Sequence, residues 1–190
     1  MKLLKQKYHI NHFYFGDDIF TYNKQRLLAL CHMLDEEFRD PKSKLMTIKY
    51  RCTTRADLLD SDIVVALKNS GCVIVCMGLE SGSDTALKSM NKGMTVAQQR
   101  EGVRLCKSAG LKVKAFYVFP LPADTLDTFE ETLAFAKQMD TEYYDMYSLT
   151  PYPSTPMWDH PEKFGMEIYK PETPEEWDEY NQVQVTKSKP

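Results

Sequence analysis

Four short stretches carry the side chains best suited to chemistry on a ligand. FYFGDDIF, residues 13–20, runs an aromatic strand into two adjacent carboxylates, Asp17 and Asp18. Neighbouring acids repel, and Asp is a poor strand residue. The pair therefore points to a bound cation, an acid–base role or the capping of a following helix. CTTRAD, residues 52–57, sets Arg55 two positions before Asp57, and the two could simply pair with each other. GLESGSD, residues 78–84, ends an apolar run on Glu80 and then Ser81-Gly82-Ser83-Asp84. A glycine there lets backbone approach a ligand closely. Glu80 could accept hydrogen bonds from a diol or an amine, while Ser83 or Asp84 opens a short helix as its N-cap. MNKG, residues 90–93, adds Lys92, a second cation or a solvated loop charge.

Other chemistries fit less well. Cys72 and Cys76 share one face of a strand, but the VIV between them marks a core segment with no third ligand near. Buried cysteine acting as a small hydrophobe is the expected state. His9, His12, His32 and His160 show no ligand spacing, and no phosphate-cradling GxxxxGK occurs. No metal site is expected.

Strands must bring these residues together, and the pattern supplies five: Ile10–Phe15, Met46–Cys52, Cys72–Met77, Val113–Phe119 and Tyr144–Leu149. Between them lie helical stretches. Asn23–Phe38 sets Leu27, Leu30, Cys31, Leu34 and Phe38 on one face. Ser61–Asn69 comes next, with Ile63, Val64 and Leu67 inward and Gly71 after its end. Thr95–Ala109 opens on a Thr95/Gln98 capping box and ends at Gly110. A Thr128/Glu131 box predicts a helix to Met139 with Phe129, Leu133 and Ala136 inward. Strand and helix in alternation imply a parallel sheet with right-handed crossovers. Each strand then empties into a polar turn, and in such folds these turns share the ligand-binding edge.

Composition sets the class. The 190 residues are 43% hydrophobic and 27% charged, enough for a core of ordinary globular type. A net charge of -3 disfavours nucleic acid as a partner, and no apolar run is long enough for a membrane. Five scattered cysteines imply free thiols and a cytoplasmic protein.

In order along the chain, FGDDIF, CTTRAD, GLESGSD, MNKGMT, FPLPADT and TPYPSTP resemble the radical S-adenosylmethionine (radical SAM) superfamily, in the branch often fused to a cobalamin-binding domain. The resemblance covers Tyr8 to Trp158. It implies a partial (β/α) TIM-like barrel over residues 1–158, parallel strands with helices outside, and a polar extension over residues 159–190. It further implies S-adenosyl-L-methionine as cofactor and a small organic substrate. Asp17 and Asp18 would meet the amino group, Glu80 and Ser81 the ribose side, and Arg55 and Lys92 would be the cations of the cavity.

The family's iron–sulfur motif, C-x3-C-x2-C for a 4Fe–4S cluster, has no match, because Leu79 stands where Cys72 and Cys76 would need a third cysteine. That loop belongs before the F-x-D-D strand, so the chain is expected to be truncated or divergent and to lack radical chemistry by itself. A cluster would need an upstream segment, and cobalamin a separate domain. Two turns also depart from the family pattern. Pro120 and Asp124 stand for Gly and Glu of G-x-P-x-E-T, and Ser154 stands for Gly of P-Y-P-G-T. A missing first strand would leave Ile10–Phe15 as an open edge, favouring self-association unless Met1–Tyr8 folds over it. Two alternatives are a non-catalytic binding module of the same fold, and an unrelated α/β metal-dependent enzyme using Asp17 and Asp18.

Overall fold

In the computed structural model, which describes residues 1–177 and 186–188, five strands form one parallel sheet in chain order. They are β1 (His12–Phe15), β2 (Lys49–Thr54), β3 (Cys72–Glu80), β4 (Lys112–Val118) and β5 (Tyr143–Tyr147). Each strand lies beside its neighbour in sequence, as in an arc of a (β/α) barrel. β1 pairs with β2 from His12↔Lys49 to Phe15↔Cys52, and a register shift between Tyr50 and Arg51 marks the pairing of β2 with β3.

The helices are α1 (Lys2–Tyr8), α2 (Lys24–Phe38), α3 (Ser61–Asn69), α4 (Asp84–Ser89), α5 (Val96–Ser108), α6 (Leu126–Met139) and α7 (Pro156–Asp159), with 3-10 turns at Ala56–Leu58 and Pro161–Phe164. A two-stranded antiparallel sheet joins β6 (Met166–Ile168) to β7 (Thr186–Ser188). No described helix is long and apolar enough to cross a membrane.

The chain divides into two compact units. The first comprises Met1–Leu79, Ala97–Phe116 and Met139–Tyr144; the second comprises Glu80–Val96, Tyr117–Gln138 and Asp145–Pro190.

In the first unit, Asn23 caps α2 through the Arg26 N–H at 2.9 Å, and Asp60 caps α3 through the Ile63 N–H at 2.9 Å. α2 buries Leu27, Cys31, Leu34 and Phe38, and α3 buries Ile63, Val64 and Leu67, the faces the apolar periodicity predicts. Lys24 joins the two caps electrostatically, 2.7 Å from Asp60 and 2.8 Å from Asp62. The Tyr50 hydroxyl stays protonated in the core, pushed up by burial, and hydrogen-bonds Ser70 Oγ at 2.7 Å. α5 comes so close to the turn after β2 that a Cβ on Gly102 would stand 2.7 Å from the Ala56 carbonyl oxygen.

α1 is absent from the sequence pattern. It buries none of its residues and is tied down by a Lys2–Glu37 ion pair, so no hydrophobic stripe announces it.

In the second unit, α6 corrects the predicted face and cap. Its buried residues are Thr128, Thr132 and Phe135, one position before Phe129, Leu133 and Ala136, and Leu133 is exposed. The cap is a reciprocal pair of threonines. Thr125 Oγ1 accepts from the Thr128 N–H at 3.3 Å, and Thr128 Oγ1 accepts from the Thr125 N–H at 2.8 Å. A helix presenting hydroxyls to its neighbour hides its inward face from a hydrophobicity count. Phe119 packs on Phe129 at 4.3 Å, and Tyr117 meets Phe135 edge-on at 6.4 Å.

β1 stands at one end of the strand order, and an open parallel edge presents unpaired N–H and carbonyl groups. The chain is therefore expected to self-associate as its concentration rises. Sedimentation velocity over a concentration series checks this, and a single monomeric species throughout would show the edge to be protected.

Candidate functional site

The turn after β1 is anchored by Phe20 and Thr21, just beyond the two acids. The Phe20 N–H donates to the Thr53 carbonyl at 2.9 Å. The Phe20 ring is buried, stacks on Phe15 at 4.7 Å and meets Tyr50 edge-on. Thr21 and Thr54 share a short hydroxyl–hydroxyl contact beneath it. This leaves Asp17 and Asp18 on an exposed turn, with Arg26 Nη2 3.7 Å from Asp17. At that distance and exposure the ion pair contributes little, so both carboxylates remain open to a ligand cation.

Arg55 leaves β2 and forks onto Asp57, with Nε 3.0 Å from Oδ1 and Nη2 2.9 Å from Oδ2. Both side chains are largely covered, and the bonds to Asp57 push the guanidinium further up. The pairing of Arg55 with Asp57 left open by the spacing is therefore present, and a ligand carboxylate would share this cation with Asp57.

Glu80 closes β3 and Lys92 returns to it. Lys92 Nζ lies 2.6 Å from Glu80 Oε1, with side chains 16% and 13% exposed. Two local devices produce this contact. Glu80 adopts φ +63°, a left-handed conformation that costs a non-glycine residue about 1–2 kcal/mol. The MNKG stretch is the C-terminal cap of α4. Asn91 takes φ +53°, its N–H donates to the Lys88 carbonyl at 3.0 Å, and the Lys92 N–H donates to Leu87 at 3.1 Å. That is the Schellman pattern, in which Asn is the usual substitute for Gly. It ends the helix with Lys92 in position to turn back.

Ser81 is not free for a ligand. Its oxygen lies 2.8 Å from Thr132 Oγ1 and accepts from the Ser83 N–H at 3.1 Å. Thr132 donates to the Thr128 carbonyl at 2.9 Å and accepts from the Gly82 N–H at 3.0 Å. A Cβ on Gly82 would fall 2.3 Å from the Phe135 Cβ, so the close approach requires glycine.

Of the six predicted residues, Glu80 and Lys92 are in direct contact. Arg55 is joined to Asp57 and Ser81 to Thr132. Asp17 and Asp18 stand in the first unit and Glu80, Ser81 and Lys92 in the second.

Two residues escape the sequence reading. Thr132 reads as a surface threonine until its partners are seen. Gln99 is fully buried and donates Nε2 to the Leu79 carbonyl at 2.6 Å, while its Oε1 has no partner among the described residues. The available signal is register, because Gln99 lies on the α5 face of Val103 and Cys106.

Local bonds and backbone conformation define the two turns that depart from the family pattern. Asp124 Oδ2 accepts from the Leu121 N–H at 2.6 Å, and Oδ1 accepts from Thr128 Oγ1 at 2.8 Å, so the shorter acid is spent on the turn. Ser154, where the family pattern has Gly, holds φ +65°.

A model of the Radical SAM superfamily matches residues 1–136. The chain belongs to the radical SAM superfamily. An unrelated metal-dependent enzyme is thereby set aside. An uncharacterized methyltransferase of Pyrococcus horikoshii is 30% identical over 160 residues, covering 84% of this chain and 33% of that protein. The anaerobic magnesium-protoporphyrin IX monomethyl ester cyclase of Cereibacter sphaeroides is 27% identical over 179 residues, 90% of this chain and 28% of that one. Among solved structures, the radical SAM methyltransferase TsrM of Kitasatospora setae, with cobalamin and a 4Fe–4S cluster bound, superposes with TM-score 0.72 at 21% identity. The match covers 82% of this chain and 31% of that one. The chain thus spans about a third of the length of the proteins it matches, and the structural likeness establishes the fold.

The left-handed Ser154 gives a direct test of strain in this radical SAM domain. Ser154→Gly is expected to raise stability by about 1 kcal/mol, read as a higher urea midpoint at unchanged slope.

Proposed function

We propose that the chain binds S-adenosylmethionine at the carboxyl ends of its strands, as the catalytic-domain portion of a radical SAM enzyme acting on an organic substrate. Methyl transfer is the favoured outcome, in keeping with the methyltransferases among its relatives. The observation that carries the proposal is the Glu80–Lys92 pair, two opposite charges 2.6 Å apart and mostly shielded from water at the end of β3. S-adenosylmethionine offers a carboxylate for Lys92 and a ribose diol for Glu80. Ser81 serves indirectly, holding the turn through Thr132.

A 4Fe–4S cluster supplies the electron in this family, and it needs three thiolates. The cysteines present do not fit it. Cys31, Cys52, Cys72, Cys76 and Cys106 are all buried. Burial pushes the Cys106 thiol up to about 12 and raises Cys31; the Cys72 contact and burial raise Cys52 well above its ordinary value. Among the described residues no three His, Cys, Asp or Glu side chains could hold a metal. Electron delivery to the sulfonium has no thiolate site among these residues.

Isothermal titration with S-adenosylmethionine should show saturable binding to the chain. Lys92→Met should weaken it at least tenfold, while Lys88→Met on the exposed face of α4 should leave it unchanged. No binding at millimolar ligand would overturn the proposal.

The thiols make a separate prediction. Iron and sulfide added to the chain under anaerobic conditions should give no sulfide-to-iron absorption band. Strong reductant with S-adenosylmethionine should then give no 5′-deoxyadenosine, and its appearance would show a competent cluster site.

A further inference from the structure

The second unit contains a cavity of about 450 Å³ with two locally built walls. One wall is the cap of α4, which presents Met90 and Asn91. The other begins at the turn before α7. There the Thr155 N–H donates to the Tyr152 carbonyl at 3.2 Å, and the Thr155 hydroxyl donates to the same oxygen at 2.6 Å. These bonds fix Pro151 and Tyr152 against the cavity, and the segments beyond them add Met157 and Phe164.

No residue described as lining the cavity is charged, in a chain that is 27% charged. An ion placed here would lose hydration and find no counter-charge. The thioethers of Met90 and Met157 adapt to irregular shapes and pack well against rings. Pro151, Tyr152 and Phe164 present flat apolar surfaces. The Asn91 amide and the Thr150 and Tyr152 hydroxyls are polar groups able to orient an occupant. The volume lies in the range of small-molecule sites, about 300–1,000 Å³.

We infer that this cavity binds the substrate, and that the substrate is an uncharged organic molecule carrying a flat ring system with a hydrogen-bonding group. The assignment rests on the radical SAM reading above for the word substrate, but the binding preference itself does not.

The test uses the full chain without S-adenosylmethionine. N-phenyl-1-naphthylamine, uncharged and planar, is titrated by fluorescence beside its anionic analogue 8-anilinonaphthalene-1-sulfonate. One saturable site with micromolar affinity for the neutral probe is expected, with at least tenfold weaker binding of the anion. Met157→Lys and, separately, Tyr152→Asp should each weaken the neutral probe at least tenfold. Met33→Lys, on the exposed side of α2, should not. Thermal melts confirm that the variants are folded, and either cavity variant alone suffices if the other is not. Non-saturable binding, equal affinity for the anion, or indifference to the folded cavity variant would overturn the inference. S-adenosylmethionine titration of the same variants separates the two proposals. Loss of probe binding with cofactor binding retained concerns this cavity alone. Probe binding without any cofactor binding would remove the proposed function and leave the cavity's preference standing.

Discussion

Ser81, Thr132 and the Thr128 carbonyl form a chain of hydrogen bonds with only one consistent direction. Thr132 has a single proton and gives it to the Thr128 carbonyl at 2.9 Å, so the Ser81 hydroxyl must be the donor across the 2.8 Å contact. Each oxygen also accepts a backbone N–H, from Ser83 and Gly82 respectively. Both side chains are buried, and an unmade bond there would cost about 1–3 kcal/mol. The turn after β3 is therefore clamped to α6 at two successive peptides, and Gly82 lets the backbone come close enough for the clamp to close. Everything downstream inherits this. Ser83 opens α4, the Asn91 cap ends it, and Lys92 arrives at Glu80 twelve residues further along the chain.

The same clamp accounts for the strain at Glu80. Left-handed backbone at a non-glycine residue persists only where surrounding structure over-determines it. Here the over-determination comes from Ser81 and Gly82 on one side and from the ion pair to Lys92 on the other. A pair so shielded from water is a poor source of net stability, since desolvating both charges offsets most of their attraction. Its consequence for binding is larger. A ligand that brings a carboxylate to Lys92 and hydroxyl donors to Glu80 would replace one ion pair by two charge-assisted contacts, and would need to desolvate neither protein group again. A ligand that met only one partner would leave the other stranded.

The frame is legible where burial is signalled by apolar residues. CVIVCM reads as a strand because it is covered on both faces, and α2 and α3 read correctly because their inward positions are Leu, Ile, Val, Cys and Phe. Legibility fails where polar residues carry the packing. Thr128 and Thr132 turn the buried face of α6 by one position, and Gln99 sits in the core as if apolar. α1 buries nothing and has no pattern to show. The candidate site is legible as a set of turns but not as a set of contacts. Residue types locate Arg55, Glu80 and Lys92. That Lys92 meets Glu80 depends on φ at Asn91, which its residue type suits, and on φ at Glu80, which its residue type does not signal.

Local capping holds the two turns that depart from the family pattern. Asp124 is one methylene shorter than the Glu of the family pattern, yet it reaches the Leu121 N–H and the Thr128 hydroxyl. Both partners lie within four residues of it, so a short side chain suffices. Ser154 keeps the backbone conformation for which glycine is suited, at a strain of about 1–2 kcal/mol. Thr155 offsets this by bonding the Tyr152 carbonyl twice, through its N–H and its hydroxyl, and by accepting from the Trp158 N–H to start α7. A wall built from such short-range bonds depends little on what lies across from it. Its shape is set before any ligand arrives, and what remains variable is the chemistry of Tyr152, Met157 and Phe164, the side chains that would select the molecule bound there.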